Sequence, residues 1–208
     1  MGYITGAYIF PHPPILVPEV GKGAEKEAQS TINAFKEASK EIGRMKPDTI
    51  ILTTPHGPVF QDFIHINMKH ELKGSFKGFN APEVKLSFKN DLELAESIIK
   101  ISNKMGIPSG GLNESLSLRY RITGELDHGA LVPLYFVANE YKKFKLVHIS
   151  IAGLSFNELY RFGCCISQAI NLTERKVVFI ASGDLSHKLT EDGPYGFDSS
   201  GPEYDRQL

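Results

Sequence analysis

Apolar, β-branched runs alternate along this chain with stretches of helical periodicity. Tyr3 to Phe10 is β-rich and ends at Pro11. Between Gly23 and Gly43, the residues Ala24, Ala28, Ile32, Phe35, Ala38 and Ile42 recur at helical spacing with Lys and Glu between them, which predicts an amphipathic helix stopped near Gly43. Asp48 to Thr54 is almost continuously apolar or β-branched, the pattern of a strand buried on both faces. A β, helix, β unit is therefore complete by residue 56. Phe63 to Lys69 alternates and predicts a further strand, followed after a Gly-rich connection by another over Val84 to Phe88. Asp91 to Met105 reads as a helix halted by Gly106-Ile107-Pro108, and Ser109 to Glu125 as an irregular, polar rim for a pocket.

The same grammar continues to residue 181. Ala130 to Tyr141 predicts a helix with Pro133 tolerated in its first turn, and Lys145 to Ala152 a strand. Ser155 to Ile170 carries a capping box, Ser155 with Glu158, and Lys176 to Ala181 reads as one more strand. After His187 the Gly-Pro segments at 193–198 and 201–205 predict no closing helix or strand. The expected fold is a single three-layer α/β domain over 1–208, with a central mixed, largely parallel sheet flanked by helices and a truncated C-terminal end.

Composition removes several classes of function. Lys and Arg number 23 against 24 Asp and Glu, scattered rather than clustered, so nothing here attracts a phosphate backbone and no nucleic acid partner is expected. The apolar start is too short to span a bilayer and has no basic leader, so a cytoplasmic protein without membrane contact is expected. Cys164 and Cys165 are adjacent in a helical stretch, which suits buried small hydrophobes better than a disulfide or a zinc knuckle. The chain contains no phosphate-binding P-loop, no Gly-x-Gly-x-x-Gly, no His-Glu-x-x-His and no Gly-x-Ser-x-Gly elbow.

Its histidines are more informative. His65 shares an alternating face with Asn67 and Lys69 and reads as a surface residue; His70 ends that stretch, and His148 reads as structural. His12, His56 and His187 instead each follow a strand. Prolines bracket the first two, and a Ser-Gly-Asp turn precedes the third. In an open α/β sheet the crevice at the carboxyl ends of the strands is where ligands bind. His128 joins them at the expected N-terminus of the 130–141 helix, where the helix dipole lowers an imidazole pKa. Asp127 and Asp184 stand beside His128 and His187 and could fix their tautomers, or be plain cap and turn residues. Metal binding is the reading that best fits this set.

Four segments, Pro11-His12-Pro13-Pro14, Pro55-His56-Gly57, Leu126-Asp127-His128-Gly129 with Pro133-Leu134, and Ser182-Gly183-Asp184-Leu185-Ser186-His187-Lys188-Leu189, occur in this order. On them the chain resembles the class III extradiol ring-cleavage dioxygenase catalytic subunits, the LigB-like family. Within it, the segment Gly193-Pro194-Tyr195-Gly196-Phe197-Asp198 is similar to the AmmeMemoRadiSam-system branch, related to Memo. The resemblance implies an oxidoreductase with His12 and His56 as ligands of Fe(II), or of zinc or another divalent ion. It implies His187 as acid/base or as a further ligand, with His128 and Asp184 in the pocket. A catechol-like aromatic would chelate the iron and O2 would insert beside the diol; a Memo-like metal- or ligand-binding protein without ring cleavage is the alternative. Implied partners are a small aromatic or peptide-like substrate, AMMECR1-type and radical-SAM proteins, and a second copy in a homo-oligomer. The family's third ligand is a glutamate from a more distal segment, for which Glu203 is a poor substitute.

Overall fold

The computed structural model describes all residues 1–208. Its centre is a parallel sheet of four strands, β1 (Tyr3–Phe10), β2 (Thr49–Thr54), β7 (Lys145–Ser150) and β8 (Lys176–Ser182), in the order β1-β8-β2-β7. Between β1 and β2 lie a single turn, α1 (Pro18–Gly21), and the long helix α2 (Gln29–Met45). Between β2 and β7 come β3 (Ile64–His65), the strands β4 (Glu71–Phe76) and β5 (Ala81–Lys89), α3 (Leu92–Lys104), β6 (Ser109–Gly110), α4 (Glu114–Arg119) and α5 (His128–Glu140). Helix α6 (Phe156–Asn171) joins β7 to β8, and α7 (Ser200–Gln207) closes the chain.

Alternation along the inner strands builds the three layers. Ile50 and Leu52 of β2, Leu146 of β7 and Val178 and Ile180 of β8 face the side covered by α2 and α5. Ile51, Val147, Ile149 and Val177 face α3 and α6. Because both faces are covered, Ile50, Ile51 and Leu52 are all fully buried, each worth about 1.5–3 kcal/mol of apolar transfer. The expected α/β class and largely parallel sheet are what the fold shows. Its mixed character comes only at the β7 edge, where Ile66 bridges Ile149 antiparallel and Asn90 bridges Leu146 in parallel.

Four local expectations change. The alternating 63–69 stretch forms only a two-residue strand, because its partner β6 is equally short. Glu71–Phe76, taken as a Gly-rich connection, is instead a strand hydrogen-bonded antiparallel to β5, with Gly74 lying where any Cβ would press on the Leu126 carbonyl. The 24–28 stretch is a 3-10 turn leading into α2. The tail is not featureless. Helix α7 docks on the 186–188 loop, where Ser186 N donates to Asp205 Oδ1 at 2.8 Å.

Candidate functional site

The parallel order brings the ends of β1, β2 and β8 to one edge of the sheet, and with them His12, His56 and the Asp184–His187 loop. Pro13, itself extended, follows His12 and disfavours a helical start there. His56 leaves β2 beside Gly57, where a side chain would collide with Ser150 Oγ. Helix α5 aims its N-terminus at the same edge, and His128 is its first residue. The imidazoles of His12, His56 and His128 converge until one donor atom from each lies within 4.8 Å of the others. His12 is buried, His128 half-buried and His56 exposed, so the cluster opens toward solvent on the His56 side.

A proline in the wrong place for a helix sets the chemistry of His12. Pro133 is the sixth residue of α5, not part of its first turn, so it withholds the N–H that would have reached the Gly129 carbonyl. That carbonyl accepts instead from Ser182 Oγ at 2.5 Å. With its proton committed there, the Ser182 hydroxyl accepts from His12 Nδ1 at 2.8 Å. His12 therefore carries its proton on Nδ1 and leaves Nε2 as a bare lone pair. Burial, and next His56 and His128, hold the His12 pKa below the ordinary imidazole value against the pull of Asp184, which keeps the ring neutral.

The bare nitrogen faces other electron-rich atoms. His56 Nε2 lies 2.8 Å from His12 Nε2, and Asp184 Oδ2 lies 3.3 Å from it. At most one proton fits between the two nitrogens, and the carboxylate meets His12 lone pair to lone pair. Such a junction is satisfied by a cation. Two nitrogens bound at right angles about 2.1 Å from one ion sit about 3 Å apart, close to the spacing found here. The residues present therefore fit a divalent metal: His12 and His56 as a facing pair, with His128 and Asp184 beside them.

Two carboxylates organise the surroundings. Asp184 accepts the His12 amide on Oδ1 at 3.0 Å and meets His187 Nε2 on Oδ2 at 3.1 Å. Burial would raise its pKa, but the His12 amide and the neighbouring imidazoles outweigh burial and lower it. Asp127 caps α5 through the Ala130 amide, accepts Thr54 Oγ1 at 2.6 Å and meets His148 Nε2 at 3.2 Å. Burial opposes its ionisation too, yet those contacts, His148 foremost, hold its carboxyl down to about 2. One carboxylate thus ties the end of β2, the N-terminus of α5 and β7 together, and so sets His56 against His128. Gly129 is required beside it, since a Cβ there would meet Thr54 Oγ1 at 2.5 Å. Burial, then His56, lowers the pKa of His128 as well, so it too stands neutral.

His187 is not part of the converging group. It sits exposed at the rim, its ring 5.1 Å from that of Tyr195, and reaches the centre only through Asp184. Glu203 is no substitute ligand, because its carboxylate is engaged by Arg206 and Gln207 of its own helix. His65, read as a surface residue, is buried at 4% exposure: β3 pairs with β6 beneath the 121–125 loop, which covers the face the alternation left polar. Sequence reasoning also passed over Thr54, whose hydroxyl looked like any strand residue, and Phe79. The ring of Phe79 comes within 5.3 Å of His128 from the turn joining β4 and β5.

A parallel α/β sheet with three imidazoles gathered at the carboxyl ends of its strands is an arrangement that could hold a metal ion. The chain belongs to the LigB family: residues 6–208 match the catalytic LigB subunit of aromatic ring-opening dioxygenase. It is 45% identical over 205 residues to Protein CA_C1420 of Clostridium acetobutylicum, covering 99% of this chain and 44% of that protein. It is 31% identical over 189 residues to 3,4-dihydroxyphenylacetate 2,3-dioxygenase of Escherichia coli, covering 86% of this chain and 65% of the relative. The chain thus spans less than two thirds of either relative. No helix is long and apolar enough to cross a membrane.

Proposed function

We propose that the protein is a non-haem, Fe(II)-dependent dioxygenase of the extradiol type acting on a catechol-like aromatic. The observation that carries this reading is the His12–His56 junction, with its fixed His12 tautomer and Asp184 3.3 Å away. His12 and His56 would hold the metal, and Asp184, already beside His12, would offer a carboxylate next to them. Iron held there would supply the binding of a diol and the activation of O2. The remaining steps belong to the chain. His187, hydrogen-bonded to Asp184 and open to solvent, takes the diol proton and returns it to the product. His128, neutral at the N-terminus of α5, donates a hydrogen bond to the developing oxyanion. Phe79 packs at the edge of that imidazole and bounds the space for a flat ring.

A second reading, a Memo-like metal- or ligand-binding protein of the AmmeMemoRadiSam system with AMMECR1-type and radical-SAM partners, is favoured by one feature. The atoms that converge are three imidazoles, a set that also suits zinc. Anaerobic reconstitution with Fe(II), followed by O2 uptake over a panel of catechols, separates the two. Uptake with ring opening is expected; stoichiometric iron with no uptake on any catechol sinks the first reading. The paired substitutions His12→Ala and His56→Ala are expected to abolish metal binding, and unchanged metal content would reject both.

A further inference from the structure

The central sheet has two edges, and only one of them is closed. Along β7 the Asn67 amide donates to the His148 carbonyl at 3.0 Å and the Asp91 amide to the Leu146 carbonyl at 3.1 Å. Along β1 nothing takes that place: the strand pairs with β8 and with no other element. The Phe10 carbonyl accepts the Gly183 amide, so Phe10 and Tyr8 turn their backbone groups toward β8. Bonding alternates along a parallel strand, and Ala7 and Ile9 therefore turn theirs outward.

The composition of β1 does little to blunt that edge. Edge strands are ordinarily guarded by charge, by proline or by a bulge. Tyr3–Phe10 contains no charge and no proline, and its one irregularity lies between Ile4 and Gly6, which leaves Gly6–Phe10 in unbroken register. Ile9 is 75% exposed, and Ala7, also exposed, stands beside it on the same face. A large apolar side chain is thus presented together with a row of unpaired amides and carbonyls.

The order of side-chain sizes names the occupant. A two-fold axis through Tyr8, perpendicular to the sheet, sets a second β1 antiparallel to the first and places Ala7 of each copy opposite Ile9 of the other. Each such pair exchanges both of its backbone hydrogen bonds. The small side chain leaves room for the large one, and no like charges meet across the seam. A second copy supplies this match by symmetry.

We propose that β1 is a self-association edge, through which two copies of the chain pair antiparallel around Tyr8 into one continuous sheet. The strands of the two copies run in opposite directions, so the imidazole clusters lie at opposite edges of the joined sheet. The pairing rests on the edge alone and is independent of the reaction at those clusters. The test is analytical ultracentrifugation of the metal-loaded chain from about 1 μM to about 1 mM, the range in which a small interface associates, with amide hydrogen exchange at both ends of that range. A monomer–dimer equilibrium is expected, with the Ala7 and Ile9 amides protected in the dimer. Ile9→Lys, an exposed change, is expected to leave a monomer at every concentration with metal content unchanged. Ala7→Ile alone crowds the seam and Ile9→Ala alone leaves it unfilled, so each is expected to weaken association about tenfold. The two together exchange the sizes and are expected to restore association to within about threefold of the wild type. A wild type that is monomeric throughout, a dimer that persists in Ile9→Lys, unprotected Ala7 and Ile9 amides, open-ended aggregation, or failure of the double variant to restore association overturns the pairing.

Discussion

Both ends of the central sheet hold carboxylates largely shielded from solvent, and they neutralise them with different chemistry. At the amino ends of the strands Asp91 is fully buried, accepting Thr49 Oγ1 at 2.5 Å and Arg175 Nε at 2.7 Å. At the carboxyl ends Asp127 and Asp184 are met by imidazoles: His148 for one, His12 and His187 for the other. A guanidinium is charged at every pH the fold survives, so the Asp91 pair is a lock with one state. An imidazole donates, accepts, binds a metal or takes a proton according to its surroundings, so the opposite end keeps several states available. The difference teaches that the same carboxylate supports structure or chemistry depending on whether its partner can change protonation.

The largest effect expected from breaking this contrast is at the lock. Arg175→Met leaves buried Asp91 with only the Lys145 ammonium, 4.0 Å away, as a counter-charge and should cost about 3–5 kcal/mol in urea unfolding, with metal content of the folded protein unchanged. A loss under about 1 kcal/mol would show that the amino end is held some other way.

Next comes pH. Burial, then nearby His148, holds the folded pKa of His65 down to about 4, below the unfolded value of about 6.5, so in that window the unfolded chain binds more protons and stability rises with pH. Acidifying from pH 7 to 4 should therefore remove about 3 kcal/mol, and the slope should flatten in His65→Gln. The Asp91–Arg175 end has no imidazole to contribute to this window. A wild-type profile flat between pH 6.5 and 4 would contradict the burial argument.

The smallest effect sharpens the comparison at the site itself. Ser182→Ala frees the His12 tautomer and should weaken metal binding about 10–100-fold in a chelator competition, while destabilising the fold less than Arg175→Met does. Pro133→Ala returns an N–H to the Gly129 carbonyl, which then competes with Ser182, and should produce a loss of the same kind below that range. Metal affinity equal to wild type in Ser182→Ala would mean that the hydroxyl does not set the tautomer.

Much of this was legible in the residue pattern. The continuous apolar run at 48–54 announced a doubly covered strand because a parallel sheet leaves neither face to solvent. Prolines around His12 and His56 marked stiff loops at strand ends. Local pattern failed where the partner was distant. Gly74 and Ser75 hid a strand that exists because β5 returns to pair with it. Alternation around His65 suggested a surface because the covering 121–125 loop is more than fifty residues away. Terminal helix α7 went unread because its Gly-Pro start resembles a turn until it has the 186–188 loop to pack on.

The sequence by itself determined the layers, the parallel sheet and the histidines that reach its carboxyl edge, since periodicity and strand-end prolines act over a few neighbouring residues. Only the tertiary structure decided which atoms carry protons and which face one another. That decision runs from Pro133 through Gly129 and Ser182 to His12, across 170 positions of chain, and hydrogen bonds are settled by distance in space rather than along the sequence.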